Sequence, residues 1–309
     1  MFIFAVVGLL FLSITTTAAA VNFYDPTPSE KERYLSMYSQ SWGEQLVRQN
    51  STRILLLGGS ISAGCCCSNG GSYAARLSDF ISRNNNSYVL NKSIPGTRPY
   101  IYIGDSYDFE SWPTDRWPNT VIIELAVNSD VSWSTAKDLD NLIFLLNEKW
   151  LANGLSIPEV LLINFLDIRM PLFSFHGEDT MEKREEFLNN LYDEKTGPFN
   201  RGSGSQIYLD AFARFYSYPV LSVTDVLWPA FCRFFIETPV TPFRNSLLKN
   251  FSLLWPYTYE GLHPTCLGHE FIAENIVIRF FRDNIIERTQ PFIPVTPYDN
   301  ALKMYACSL

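Results

Sequence analysis

Ser60 stands in Gly58-Gly59-Ser60-Ile61-Ser62, directly after the apolar run Arg53 to Leu57. Two glycines let a chain turn sharply at a strand end. A serine placed there is surrounded by backbone N–H groups, which suits a nucleophile whose own amide steadies an oxyanion. The segment is not the G-x-S-x-G elbow, because Ser62 occupies the second glycine position. Alone it reads more readily as a helix N-cap serine after a glycine turn. A serine nucleophile needs a base, and the chain offers only three histidines, His176, His263 and His269. His263 lies in Glu260-Gly261-Leu262-His263-Pro264, with a carboxylate three residues before it. In a turn, that spacing lets the carboxylate meet Nδ1 and leaves Nε2 free to face a serine. His176 sits in a Phe-rich stretch with no motif around it, and His269 reads as a helix-start residue.

Two further segments offer hydrogen-bond donors. Asn128, in Glu124-Leu125-Ala126-Val127-Asn128-Ser129-Asp130, follows an apolar strand and can aim its amide where negative charge develops. Its bland alternative is an Asx-turn. Gly96, in Ser93-Ile94-Pro95-Gly96-Thr97, can present its N–H to the same oxyanion.

The elements that must position these residues alternate in type. Short apolar runs at Arg53–Leu57, Tyr88–Leu90, Thr120–Ala126, Glu159–Phe165 and Val220–Thr224 predict five strands. Helical spacing predicts helices over Ser72–Ser82, Thr135–Trp150, Ser205–Phe215 and Leu267–Ile286. Apolar strands alternating with helices imply a parallel sheet covered on both faces. Residues 168–204 and 228–258, rich in Pro, Phe and Trp, read as long loops over the strand C-terminal ends.

The four chemical segments, in this order, resemble the SGNH hydrolases, or GDSL-type esterases. The first block normally reads GDS and here is Gly58-Gly59-Ser60. The second-block glycine matches Gly96. The third block, normally GxND, is Ala126-Val127-Asn128-Ser129, and the last, normally DxxHP, is Glu260-Gly261-Leu262-His263-Pro264. The resemblance spans Arg53 to Ile286. It implies a three-layer α/β/α, flavodoxin-like fold with a five-stranded parallel sheet. It also implies a catalytic triad of Ser60, His263 and Glu260, with an oxyanion hole from the Ser60 N–H, the Gly96 N–H and the Asn128 side chain. Neither metal nor cofactor is expected. If Ser60 and His263 are in contact, Cys266 approaches the run Cys65-Cys66-Cys67, and a disulfide from one of these three to Cys266 is expected.

The N-terminal segment reads as a secretory signal over residues 1–20: an apolar run from Met1 to Ile14, then small residues ending in Ala18-Ala19-Ala20. No Lys or Arg precedes the run, so a signal anchor is the alternative. Residues 21–50 form a polar lead-in, 51–290 the esterase domain and 291–309 a surface tail. Export agrees with sequons at Asn50, Asn85, Asn91 and Asn250. It agrees also with an even set of six cysteines, Cys65, Cys66, Cys67, Cys232, Cys266 and Cys307, whose spacing is not a C-x-x-C metal motif. Net charge is −8 with no Lys/Arg run, which argues against a nucleic-acid partner. No stretch beyond the N-terminal one is long and apolar enough to span a bilayer, so no stable membrane insertion is expected after signal cleavage. The expected function is a secreted carboxylic-ester hydrolase acting on a small-molecule or polysaccharide ester, with O-acetyl groups on polysaccharide as the first substrate. Alternatives are a lipid or lysophospholipid esterase, a sugar acyltransferase on the same triad, and a non-catalytic binding protein on this fold.

Overall fold

Continuous burial along the central strands, with alternate residues facing two different cores, sets the layers. The computed structural model describes residues 51–67, 70–104, 113–125, 127–129, 133–165, 167–169, 175, 178–191, 212–213, 216, 218–238 and 255–286. The signal, the lead-in and the tail therefore lie outside the described residues, as do His176, Asn50, Asn250 and Cys307.

Strand β1 (Arg53–Gly58) is buried at every position after the first. Ile54 and Leu56 face one core cluster, and Leu55 and Leu57 face another. Strands β3 (Thr120–Glu124) and β4 (Glu159–Asn164) divide in the same way: Ile122, Leu161 and Ile163 on the first side, Val121, Ile123, Val160 and Leu162 on the second. A strand buried on both faces belongs to a parallel sheet between helical layers. With β2 (Tyr88–Asn91) and β5 (Val220–Ser222), the sheet has five parallel strands in the order β2-β1-β3-β4-β5. This is the flavodoxin-like order, whose direction reverses between β1 and β3, where doubly wound sheets open a crevice for ligands. Ser60 follows β1 and Asn128 follows β3, one on each side of that crevice.

The first core packs the sheet against α1 (Tyr73–Ile81), α4 (Met181–Leu191), α5 (Val223–Glu237) and a C-terminal run of α6 (Cys266–Ile272), a π turn (Ala273–Val277) and α7 (Ile278–Ile286). The second packs it against α2 (Pro99–Gly104) and α3 (Trp133–Ala152). Ser72 caps α1, its Oγ accepting from the Ala75 N–H at 3.2 Å, as the polar residue ahead of the apolar periodicity implies. No helix among the described residues is long and apolar enough to cross a membrane.

Three helices were not expected. Helix α5 begins where the fifth strand was to continue, at Val223-Thr224, and runs into a segment read as irregular. It is apolar nearly all round and holds Pro229, so it shows neither a polar face nor an uninterrupted pattern. Buried Trp228, Phe231, Phe234 and Phe235 fill the centre of the first core. Helix α4 lies inside the other stretch read as loop. Helix α2 has six residues, too few to show a period. Of the helix expected over Ser205–Phe215, only residues 212–213 are described, and they are helical.

Candidate active site

Ser60 and His263 are 203 residues apart and meet: Ser60 Oγ lies 2.8 Å from His263 Nε2. The opposite ring nitrogen, Nδ1, is hydrogen-bonded to Glu260 Oε1. His176 lies outside the described residues. His269 is fully buried, its Nδ1 accepting from the Tyr73 N–H at 3.3 Å and its Nε2 reaching the Cys65 carbonyl at 3.3 Å. Burial lowers its pKa, which keeps the ring neutral and makes it a structural pin. Of the two described histidines, His263 is the one placed against Ser60.

A hairpin holds His263. Thr258 bridges Pro264 in antiparallel fashion, the Tyr259 N–H donates to the His263 carbonyl at 2.7 Å, and the Thr265 N–H donates to Tyr257 O at 3.1 Å. Between Glu260 and His263, Gly261 adopts φ +88 and lies so close to Ile168 and Arg169 that a Cβ would meet their side chains at 3.1 and 3.2 Å. Its carbonyl accepts from the Ile168 N–H at 2.9 Å. Glycine is needed for this turn, and the turn sets Glu260 and His263 on one side. The second Glu260 oxygen is buried and has no hydrogen-bond partner among the described residues.

The turn that carries Ser60, the candidate nucleophile, is held differently. The segment after Ser60 is a set of tight turns: the Ala63 N–H reaches Gly59 O at 3.0 Å and the Cys65 N–H reaches Ser60 O at 2.9 Å, and α1 starts at Tyr73, within the helix expected over Ser72–Ser82. Beneath the turn lies Glu124, 1% exposed at the end of β3. Its Oε2 accepts from the Gly59 N–H at 3.1 Å and from Ser62 Oγ at 2.9 Å, and Ser62 Oγ is in turn bonded to the Tyr73 hydroxyl. Burial pushes the Glu124 carboxyl up to about 7, partly offset by these hydrogen bonds and by His263. It pushes the Tyr73 hydroxyl well above its usual range. The sequence reading assigned Glu124 no role; a carboxylate closing an otherwise apolar strand was its signal.

The same packing explains why glycine stands before Ser60. A Cβ on Gly59 would lie 2.3 Å from Asn128 Nδ2, and one on Gly58 would lie 2.4 Å from Ser62 Oγ. The amide of Asn128 thus rests on the Gly59 backbone beside the nucleophile, on a turn whose Ser129 Oγ donates to Leu125 O at 2.6 Å. Ala126 lies outside the described residues. Gly96 has φ +73, in an exposed turn closed by the Thr97 N–H on Ile94 O at 3.2 Å. That loop leans on β1: the Ile94 N–H and the Tyr102 hydroxyl both donate to Gly58 O, at 2.9 and 2.8 Å.

Cys67 and Cys266 form a disulfide with Cα atoms 4.9 Å apart, joining the nucleophile turn to α6 just after His263. This is the pairing of the cysteine run with Cys266 that contact between Ser60 and His263 required. Cys65 and Cys66 are free. Cys232 is buried and disulfide-bonded, its partner outside the described residues. Asn85 lies exposed in the turn after α1. The Asn91 backbone turn is pinned by its side chain, Nδ2 donating to Ser62 O at 2.8 Å and Oδ1 accepting from the Ser93 N–H at 3.0 Å.

Comparison with known proteins finds no matching family model and no matching curated protein. Solved structures do match. Two are of a two-domain esterase active on acetylated mannans. The one co-crystallised with mannopentaose has a TM-score of 0.50 and the other 0.51, both at 17% identity over 85% of this chain and 59% of that protein. The chain therefore spans 59% of the length of that esterase. A crystal structure of an SGNH-hydrolase family esterase matches at 21% identity over 55% of this chain and 75% of that one, with a TM-score of 0.34. At these identities the likeness is one of fold: a five-stranded parallel sheet between helices, as the resemblance implied.

Proposed function

We propose that this chain is an extracellular serine esterase that cleaves carboxylic esters, O-acetyl groups on a polysaccharide in the first place. The observation that carries the reading is the relay Ser60 Oγ to His263 Nε2 at 2.8 Å, with Nδ1 on Glu260. In the proposed reaction Ser60 Oγ bonds to the ester carbonyl carbon while its proton passes to Nε2. Glu260 holds the ring by its Nδ1–H and stabilises the imidazolium. The oxyanion is met by the Ser60 N–H, the Gly96 N–H and the Asn128 side-chain amide. Collapse breaks the bond to the alcohol, which leaves with the proton from Nε2. Water, deprotonated by His263, then releases the acid from Ser60 and restores the enzyme.

The residues of this scheme need neither metal nor cofactor. Export is supported by the N-terminal sequence pattern and by the Cys67–Cys266 disulfide, since such bonds persist in oxidising compartments. A polysaccharide ester is supported by the fold likeness to an esterase active on acetylated mannans.

Hydrolysis of p-nitrophenyl acetate, butyrate and octanoate by wild type, Ser60→Ala and His263→Ala tests the reading. Turnover by wild type with both variants at background is the expected result. A preference for octanoate would move the substrate to lipids, and acyl transfer to a sugar in place of hydrolysis would move the enzyme to an acyltransferase. Inert wild type that also resists a fluorophosphonate probe at Ser60 would reduce the fold to a binding role.

A further inference from the structure

The two free cysteines lie against the histidine of the relay. One ligand atom from each of Cys65, Cys66 and His263 lies within 4.8 Å of the other two, and the two sulfurs are 3.4 Å apart. A tetrahedral zinc, with sulfur at about 2.3 Å and nitrogen at about 2.0–2.1 Å, spaces its ligands roughly 3.5–3.8 Å apart. The two sulfurs therefore need to open by a few tenths of an ångström, and the histidine nitrogen to close on them by about an ångström at most. They are also reachable from solvent, Cys66 being exposed and Cys65 and His263 half-buried.

The cluster is built by the fold. Cys66 adopts φ +67, the left-handed region that non-glycine residues seldom occupy. The residues on either side of it are fastened. Cys65 donates its N–H to Ser60 O at 2.9 Å, and its carbonyl takes the buried His269. Cys67 is bonded to Cys266, three residues after His263. Consecutive cysteines supply no metal spacing by themselves; the third ligand comes from 197 residues further along, brought there by the disulfide and the His269 pin.

We propose that Cys65, Cys66 and His263 form a site for a thiophilic divalent cation of the zinc type, and that its occupancy switches the catalytic relay off. Two S–H protons pass to solvent as the thiolates bind, and a water completes four-coordination. His263 can ligate only through a nitrogen it uses already. Coordination at Nε2 displaces Ser60 and coordination at Nδ1 displaces Glu260, so metal and catalysis exclude each other at this residue. The binding half of the proposal stands without the esterase reading; the inhibition half rests on it.

The test pairs a metal readout with an activity readout on the secreted protein. Titration with Cd²⁺ should give a thiolate-to-metal charge-transfer band at one equivalent in wild type. Cys65→Ser/Cys66→Ser should abolish the band, and His263→Ala should weaken binding by about 10–100-fold. Zn²⁺ should inhibit p-nitrophenyl acetate hydrolysis reversibly, with EDTA restoring it. The double serine variant should hydrolyse the ester at the wild-type rate and need at least about 100-fold more Zn²⁺ for the same inhibition. Equal Zn²⁺ sensitivity of wild type and double variant, the absence of a charge-transfer band, or a Cys65–Cys66 bond found by peptide mapping of the purified protein would each overturn the proposal. A charge-transfer band in a protein that hydrolyses no ester would uphold the metal site and remove the esterase reading alone.

Discussion

Two carboxylates stand near the Ser60–His263 pair, in regions built on opposite principles. Glu124, at the end of β3, is sealed under the nucleophile turn and spends one oxygen on two donors, the Gly59 N–H and Ser62 Oγ. Glu260 sits in a hairpin at the surface, partly exposed, with one oxygen on His263 and the other without a hydrogen-bond partner among the described residues. The first region is fixed by the sheet, because β1 and β3 are neighbours and their register brings Gly58 opposite Glu124. The second is fixed by local turn chemistry and a disulfide. A buried, doubly bonded carboxylate holds backbone in place, whereas a half-exposed one aimed at an imidazole orients a base. Substitutions at the two should therefore separate stability from rate.

The largest separation is expected at Glu260. Glu260→Gln should lower kcat for p-nitrophenyl acetate by about 10³–10⁴-fold, the scale seen when the acid of a Ser–His–acid triad becomes an amide. Its thermal midpoint should stay near wild type, since the side chain is about a quarter exposed. Equal losses of activity and melting temperature would mean that Glu260 is structural and that the contrast with Glu124 is false. The disulfide joins the two regions and should serve both. It closes a loop of 199 residues, so Cys67→Ser/Cys266→Ser should lose roughly 2–5 kcal/mol in denaturant unfolding. The same variant should lower kcat as the hairpin loses its tether to the nucleophile turn. Unchanged kcat in the folded variant would show that the hairpin's own hydrogen bonds suffice to align His263.

How far each region can be read from sequence follows the same division. Glu260 and His263 are three residues apart and carry their geometry in their spacing, so their pairing was visible at once, whereas the role of Gly261 between them shows only in its φ of +88. The five strands were visible because burial on both faces leaves unbroken apolar runs such as Leu55-Leu56-Leu57. Glu124 was not, since its partners Gly59 and Ser62 lie about sixty residues away and only the β1–β3 register joins them. Helix α5 was missed because a helix buried on nearly every side has no polar stripe to mark its period. The cysteine run was legible as a partner for Cys266. That Cys67 pairs, leaving Cys65 and Cys66 free beside His263, depends on the turns after Ser60, which no periodicity encodes.

Asn128 belongs to the first region, where its amide rests on Gly59 beside Ser60. Asn128→Ala should lower kcat by about 10²–10³-fold, the usual cost of one oxyanion donor, and leave KM nearly unchanged. A rise in KM alone would make Asn128 a ground-state contact.

The smallest effect, and the one that reads Glu124 directly, is a pH dependence of stability. Burial lifts its carboxyl from an ordinary 4.5 to about 7, so between these values the folded chain holds a proton that the unfolded chain has released. Stability contributed by this group is therefore full below pH 4.5 and declines as pH rises through about 7. Glu124→Gln is neutral at every pH and escapes the decline. Relative to wild type, its unfolding free energy should rise across that window by up to roughly 3 kcal/mol and then level off. Whatever constant offset the new amide brings through its extra N–H groups shifts both ends of that curve equally, so the slope reports the carboxyl alone. A difference that stays flat from pH 4 to 9 would mean that the Glu124 carboxyl titrates alike in the folded and the unfolded chain, with the Gly59 and Ser62 hydrogen bonds offsetting its burial. In that case burial would leave no mark on the titration of Glu124, and the contrast between the nucleophile turn and the histidine hairpin would come down to solvent exposure.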